Sequence, residues 1–217
     1  MKLAIFDLDN TLIGGDSDYL WGQFLCEHGY LDEDTHSSRH QQYYEDYKAG
    51  NLDIMEFLEF QLQPLAGVEP VTLEQRRAQY LEEKILPIML DKAQKLVDRH
   101  RQQGHCLLII TATNEFITLP IAKMLGVKNL IASNAEKVNG YYTGKPVGTP
   151  SYAAGKVTRL QAWLEEHNSK PEETWFYSDS HNDIPLLEIV DHPVAVDPDE
   201  ILKKTATENG WPIISLR

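Results

Sequence analysis

The stretch LAIFDLDNTLIGGDSD, residues 3–18, decides the reading of this chain. Its first half is a short apolar run of the kind buried on both faces of a parallel sheet. It then runs directly into Asp7 and Asp9, with Asp16 and Asp18 close behind. In open parallel α/β sheets ligands bind beyond the carboxyl ends of the strands, which is where Asp7 and Asp9 would lie. Like charges held a few ångströms apart raise one another's pKa, so such a pair calls for a cation, a proton or hydrogen bonds.

Working outward, a second apolar run, CLLIIT, follows only at residues 106–111. From there strand and helix signals alternate. A helical stretch near 115–125 leads to NLIAS at 129–133, a helix within 151–167, TWFYSD at 174–179, a short helix from Asp183, PVAV at 193–196, a helix near 199–208 and a terminal PIISL. This alternation predicts an α/β fold with a doubly wound parallel sheet. Asn139-Gly140, between short β-prone pieces at 135–149, predicts a hairpin.

Residues 16–104 carry helix signals almost without strand signals. Ser17 can cap a helix with apolar positions Leu20, Trp21, Phe24 and Leu25, ending at Gly29. Asp53 with Glu56, and Thr72 with Gln75, read as capping boxes. Pro87 marks the return to the main body, where a helix over Leu90, Ala93, Leu96 and Val97 ends at Gly104. The expected division is a core of residues 1–14 and 88–217 with a helical cap at 15–87.

Composition narrows the function. The chain has 217 residues, 42% hydrophobic, enough to bury a substantial core. Its 33 Asp plus Glu against 20 Lys plus Arg give a net charge of −13, which repels nucleic acid and anionic lipid. No apolar run approaches the ~18 residues of a membrane span, and the N-terminus lacks signal-peptide features, so a cytoplasmic location is expected. Cys26 and Cys106 are isolated and read as buried thiols.

The second half of the acidic constellation is YSDSHNDIPLL, in which Asp179 ends a strand and Asp183 opens a helix. Any one of these aspartates alone reads as a cap or a turn residue. Carboxylates converging from two strand ends make a hard-oxygen site, for which Mg²⁺ is the natural occupant. GTPSYAAGK is not a P-loop: Gly148 and Gly155 are separated by six residues rather than four, and Val157 stands where Ser or Thr is required.

DLDNTL after an apolar strand, Thr111 closing LLIIT, Lys156 in AAGKVT and SDSHND at 178–183 resemble, in order, the four motifs of the haloacid dehalogenase superfamily. The likeness is to its phosphoserine-phosphatase-like branch, with a Rossmann-like core and an inserted small helical cap of C1 type. The resemblance implies a Mg²⁺-dependent phosphatase working through an aspartyl-phosphate on a small phosphorylated metabolite. By the same resemblance Asp7 is nucleophile and metal ligand. Asp9 is general acid and base, with its backbone carbonyl on the metal. Thr111, the Ala112 N–H and Lys156 hold the phosphoryl oxygens. Asp179 completes the metal shell, Asp183 stands behind it, Asn182 is a phosphate-side contact and Thr11 braces the loop. A non-catalytic receiver domain would share much of this set, but an acid/base two residues after the nucleophile favours turnover over storage.

Substrate choice falls to the cap. Phosphoserine phosphatases have an acidic residue nine positions after the nucleophile, matched here by Asp16, and a carboxylate-binding arginine whose ungapped position in FQLQPLAG falls on Gln61. No arginine lies between residues 40 and 75. An amide cannot replace the bidentate clamp that arginine offers a carboxylate. A cationic amine without a carboxylate is therefore expected, and the resemblance, including GDSDYLWG, extends to members acting on L-histidinol phosphate in histidine biosynthesis. Asp16 or Asp18 would pair with the ammonium, and Trp21 or Tyr19 would stack on the imidazole. Phosphoserine phosphatase and a broad small-metabolite phosphatase are the alternatives.

Overall fold

A computed structural model of the protein describes residues 1–49 and 51–217. Strand β1 (Lys2–Phe6) is followed by helices α1 (Ser17–Glu27), α2 (Glu33–Ala49), α3 (Ile54–Leu62), α4 (Pro70–Tyr80) and α5 (Asp91–Gln102). The chain continues as β2 (Cys106–Asn114), α6 (Glu115–Met124), β3 (Asn129–Val138), β4 (Tyr141–Val147), α7 (Ala154–Glu166), β5 (Glu173–Ser178), α8 (Ile184–Leu187), β6 (His192–Val196), α9 (Glu200–Asn209) and β7 (Ile213–Ile214).

The strands form one sheet in the order β4-β3-β2-β1-β5-β6-β7, parallel throughout except for the β3–β4 pair. This is the doubly wound, Rossmann-like arrangement, with β1 at the centre and the chain winding outward on both sides. The central strands read as continuous apolar runs because helices cover both faces. Ala4, Phe6, Ile109 and Val196 face a core built with α1, α5 and α6, whereas Ile5, Leu108, Ile110 and Phe176 face α7, α8 and α9. The hairpin turns at Asn139 (φ 52°) and Gly140 (φ 86°), the two left-handed positions that a type I′ turn requires.

The helices between β1 and β2 leave and rejoin the sheet side by side. Ile13 and Met89 form an antiparallel bridge, and the Gly14 N–H donates to the Ile88 carbonyl at 2.8 Å. Two helix starts differ from the sequence reading. The cap of α1 is Asp16, whose Oδ1 accepts from the Tyr19 N–H, not Ser17; both residue types cap well, and the chain enters the helix one residue earlier. Helix α4 begins at Pro70, so Thr72 lies inside it; proline at the first helical position overrides the nominal capping box. Asp53 does cap α3, accepting from the N–H groups of Met55 and Glu56. No helix among the described residues is long and apolar enough to cross a membrane.

Candidate active site

Asp7 extends β1 by one residue, its N–H donating to the Tyr177 carbonyl of β5 at 2.9 Å. The chain then turns through Asn10 (φ 57°), a residue type that tolerates the left-handed region, and the Asn10 N–H closes the turn on the Gly15 carbonyl at 2.9 Å. Asp7 and Asp9 thus stand at the carboxyl end of the central strand, beside the ends of β2 and β5.

Lys156 is the hinge of the buried charge. Its Nζ lies 2.7 Å from Asp7 Oδ1 and 2.8 Å from Asp183 Oδ2, and Ser178 Oγ donates to that same Asp183 oxygen at 2.6 Å. Burial by itself would pull the lysine pKa down, but the Asp183 and Asp7 carboxylates hold it above the usual range, so Lys156 is charged. Its helix is seated by Gly155, where a Cβ would come within 2.2 Å of the Pro150 carbonyl oxygen. Only a glycine allows that approach.

Asp9 is held by three donors: the Ser17 N–H at 2.7 Å on Oδ1, and Thr113 Oγ1 at 3.0 Å and Thr111 Oγ1 at 3.3 Å on Oδ2. Burial, reinforced by the charge of Asp16, still pushes its pKa up to about 6. Burial likewise raises Asp7 to about 7, against the pull of Lys156 and with the help of Asp183 and Asp9. Asp179 is tied to Thr11: Thr11 Oγ1 donates to its Oδ1 and accepts its N–H, both at 3.1 Å. Burial and the charges of Asp7 and Asp183 push Asp179 well above the carboxylate range.

Asp7, Asp9, Lys156, Asp179 and Asp183 line one cavity of about 520 Å³, together with Asp16, Asp18, Thr111, Ala112 and Asn182. Lys156 is the one Lys or Arg on its wall among the described residues. Asn182 accepts from the Tyr152 hydroxyl at 2.9 Å. Asp18 is buried, accepts from Asn114 Nδ2 at 3.2 Å, and is pushed well above its ordinary pKa by burial and then by Asp16 and Asp9. Among the described residues no three His, Cys, Asp or Glu side chains form a ready-made metal cluster. The oxygen-only donors of Asp7 and Asp179, the second destabilised by the charge of the first, fit a hard cation that completes its shell with waters and a substrate phosphate.

Three expected cap contacts, Tyr19, Trp21 and Gln61, lie elsewhere, and Tyr19 is exposed and packs on His40. Trp21 is 1% exposed and packs on Phe24, Tyr80 and Phe116, off the cavity, because the apolar stripe of α1 faces the core. Gln61 is 2% exposed and also off the cavity wall, with no hydrogen-bond partner for its Nε2 among the described residues. The aromatic wall comes instead from α2 and α3, through His40, Tyr43, Tyr44, Tyr47 and Phe57. Sequence reasoning also passed over Thr113 and Asn114. Thr113 was reachable from Thr111, since residues two apart on a strand share a face; Asn114 had no such signal.

Comparison with known proteins agrees with this geometry. The family model of haloacid dehalogenase-like hydrolases matches residues 4–188. A histidinol-phosphatase from Neisseria meningitidis serogroup C (strain 8013) is 43% identical over 220 residues, covering 100% of this chain and 99% of the relative. A crystal structure of a protein of unknown function from Bordetella pertussis Tohama I superposes with a TM-score of 0.93 at 39% identity, covering 100% of this chain and 99% of that one. A phosphoserine phosphatase holding a phospho-aspartyl intermediate analogue shares the fold, with a TM-score of 0.71 at 17% identity, covering 100% of this chain and 93% of that one. With the motif residues gathered at the strand ends and a family match over most of its length, the chain belongs to the haloacid dehalogenase-like hydrolases.

Proposed function

We propose that this hydrolase is a phosphomonoesterase acting on L-histidinol phosphate through a phosphoryl group carried by Asp7. The observation that carries the substrate assignment is the charge of the cavity wall. Asp16 and Asp18 stand in it, and its lysine is already engaged by Asp7 and Asp183. A substrate carboxylate would find repulsion and, among the described residues, no free Lys or Arg on the wall, whereas an ammonium would relieve the buried Asp18. The aromatic wall of α2 and α3 suits a flat ring such as imidazole. The histidinol-phosphatase relative, similar over its whole length, supports the same assignment.

In this reading Asp7 attacks phosphorus and the alcohol leaves. Asp9, whose pKa of about 6 lets it hold a proton near neutrality, protonates the leaving alkoxide and then takes a proton from the water that cleaves the phosphoryl-aspartate. Thr111 and the Ala112 N–H orient the phosphoryl oxygens, and Lys156 neutralises charge on Asp7 and phosphate together. Asp7, Asp179 and the Asp9 carbonyl would hold Mg²⁺, which lowers the repulsion between anionic nucleophile and anionic substrate. Steady-state kinetics with Mg²⁺ test the substrate. The expected kcat/KM for histidinol phosphate exceeds that for phosphoserine by at least about a hundredfold, since an unmatched buried charge separates the two. The opposite ranking overturns the assignment.

A further inference from the structure

The helices between β1 and β2 meet the rest of the molecule in two different ways. The α1, α3 and α4 side is bound to the sheet and its hairpin at many points. Arg77 donates to the Phe116 carbonyl at 2.7 Å, Tyr141 to Glu69 at 2.9 Å, and the Gly67 N–H to the Tyr142 carbonyl at 3.0 Å. Asn114 holds Asp18, and Ser17 holds Asp9.

Helix α2 instead packs sideways on its own neighbours, His36 on Phe60, Tyr43 on Phe57 and Phe60, and His40 on Tyr19. It reaches across the cavity to the core through Tyr47. The Tyr47 hydroxyl lies 2.7 Å from Ser180 Oγ, and its ring lies 5.7 Å from that of His181. Ser180 Oγ is already the acceptor of the Asn182 N–H at 3.2 Å and of Asn182 Nδ2 at 3.4 Å. Either hydroxyl can be the donor in the Tyr47–Ser180 pair. Burial pushes the tyrosine pKa up to about 12, which keeps its hydroxyl neutral. The oxygen that Tyr47 touches caps the turn His181–Asp183, and Asp183 holds Lys156.

We propose that Tyr47 is a positioning residue: by hydrogen bonding to Ser180 Oγ it latches α2 over the cavity and sets the turn that carries Asp183, so that Lys156 is aligned when the cavity is closed. Helix α2, and not the whole set of helices, is the part that opens. This rests on the cavity being the hydrolase site, but not on the identity of the ester.

Hydrogen exchange on the full-length protein tests the latch without substrate. Tyr47→Phe removes one hydroxyl, and amides of α2 should exchange about two- to tenfold faster, the range of one net hydrogen bond, while those of α4 stay unchanged. Kinetics test the link to Lys156. With p-nitrophenyl phosphate and with histidinol phosphate, Tyr47→Phe should lower kcat/KM by a similar factor, mainly through KM. In a Ser180→Ala background the same change should add less than about twofold, because the partner is already gone. Unchanged α2 exchange, equal acceleration in α2 and α4, or losses that multiply in the double variant would overturn the proposal. Failure to turn over histidinol phosphate alone counts against the substrate assignment, and the exchange experiment still decides the latch.

Discussion

Two regions of this molecule concentrate buried titratable side chains, and they border cavities of nearly equal size. The tips of β1 and β5 carry Asp7, Asp9, Asp179 and Asp183 around about 520 Å³; a second space of about 530 Å³ is lined by Trp175, Tyr177, His192 and Trp211. Volume does not tell them apart, but the balance of partners does. In the second region His100 bonds His105 at 2.8 Å through Nδ1 and the Tyr177 hydroxyl at 2.8 Å through Nε2, and His192 bonds Glu173 at 2.7 Å. His105 and His192 both stack on the Trp175 ring, at 4.7 and 4.6 Å. Those groups are neutral or paired within the protein. At the strand tips two of the four carboxylates, Asp7 and Asp183, share one lysine, and burial raises Asp7, Asp9 and Asp179 above their ordinary range. A candidate site for a cation or a substrate is recognised by charge left uncompensated, not by the density of polar groups.

The largest break of this contrast is Asp7→Asn. Turnover should fall at least about a thousandfold, since an amide is a poor nucleophile, while the melting temperature without added metal does not drop, because one of several repelling charges has gone. A loss of activity accompanied by unfolding would move Asp7 to a structural role.

Next is the metal. Mg²⁺ at millimolar concentration should raise the melting temperature by about 5 °C if it binds the folded chain well below that concentration. Asp179→Asn should remove most of that rise, and His192→Gln none of it. Equal rises in all three proteins would place the ion elsewhere.

The smallest effect sharpens the other side. Burial, then the charges of His105 and Arg99, push His100 down to about 4 in the folded protein, against an ordinary value of 6.5. The unfolded chain therefore binds a proton below about pH 6.5 that the folded chain refuses, so stability is complete above that pH and falls as the pH drops toward 4. Between pH 7.5 and pH 5, His100→Gln should lose about 2 °C less than the unaltered protein. An identical drop in both would assign the acid sensitivity to other groups.

The sheet was readable because each strand is a short apolar run closed by its own punctuation, and every motif aspartate falls where such a run stops. Asp7, Asp9, Asp179 and Asp183 could be named from their places at the ends of apolar runs, Thr111 and Lys156 only from the resemblance of the ordered motifs to a known family, and all six line the same cavity. Trp21 shows where this fails. Helical spacing puts it on the apolar stripe of α1, but the stripe faces the core, and the spacing says nothing about how far the stripe extends toward the cavity. Asp16 shows a finer limit, since two adjacent residues were equally able to cap α1 and only the path of the chain chose between them.

Local pattern alone established the strand–helix alternation and the surplus of carboxylates at the strand ends, because each depends on neighbours a few positions apart; the missing arginine needed the resemblance to say where a carboxylate clamp would stand. Packing decided which aromatic side chains face the cavity, which half of the helical segment is anchored, and that Tyr47 meets Ser180, 133 positions away in the chain. Such contacts depend on how finished elements stack, and a spacing of residues along one element carries no record of the partner that will lie across from it.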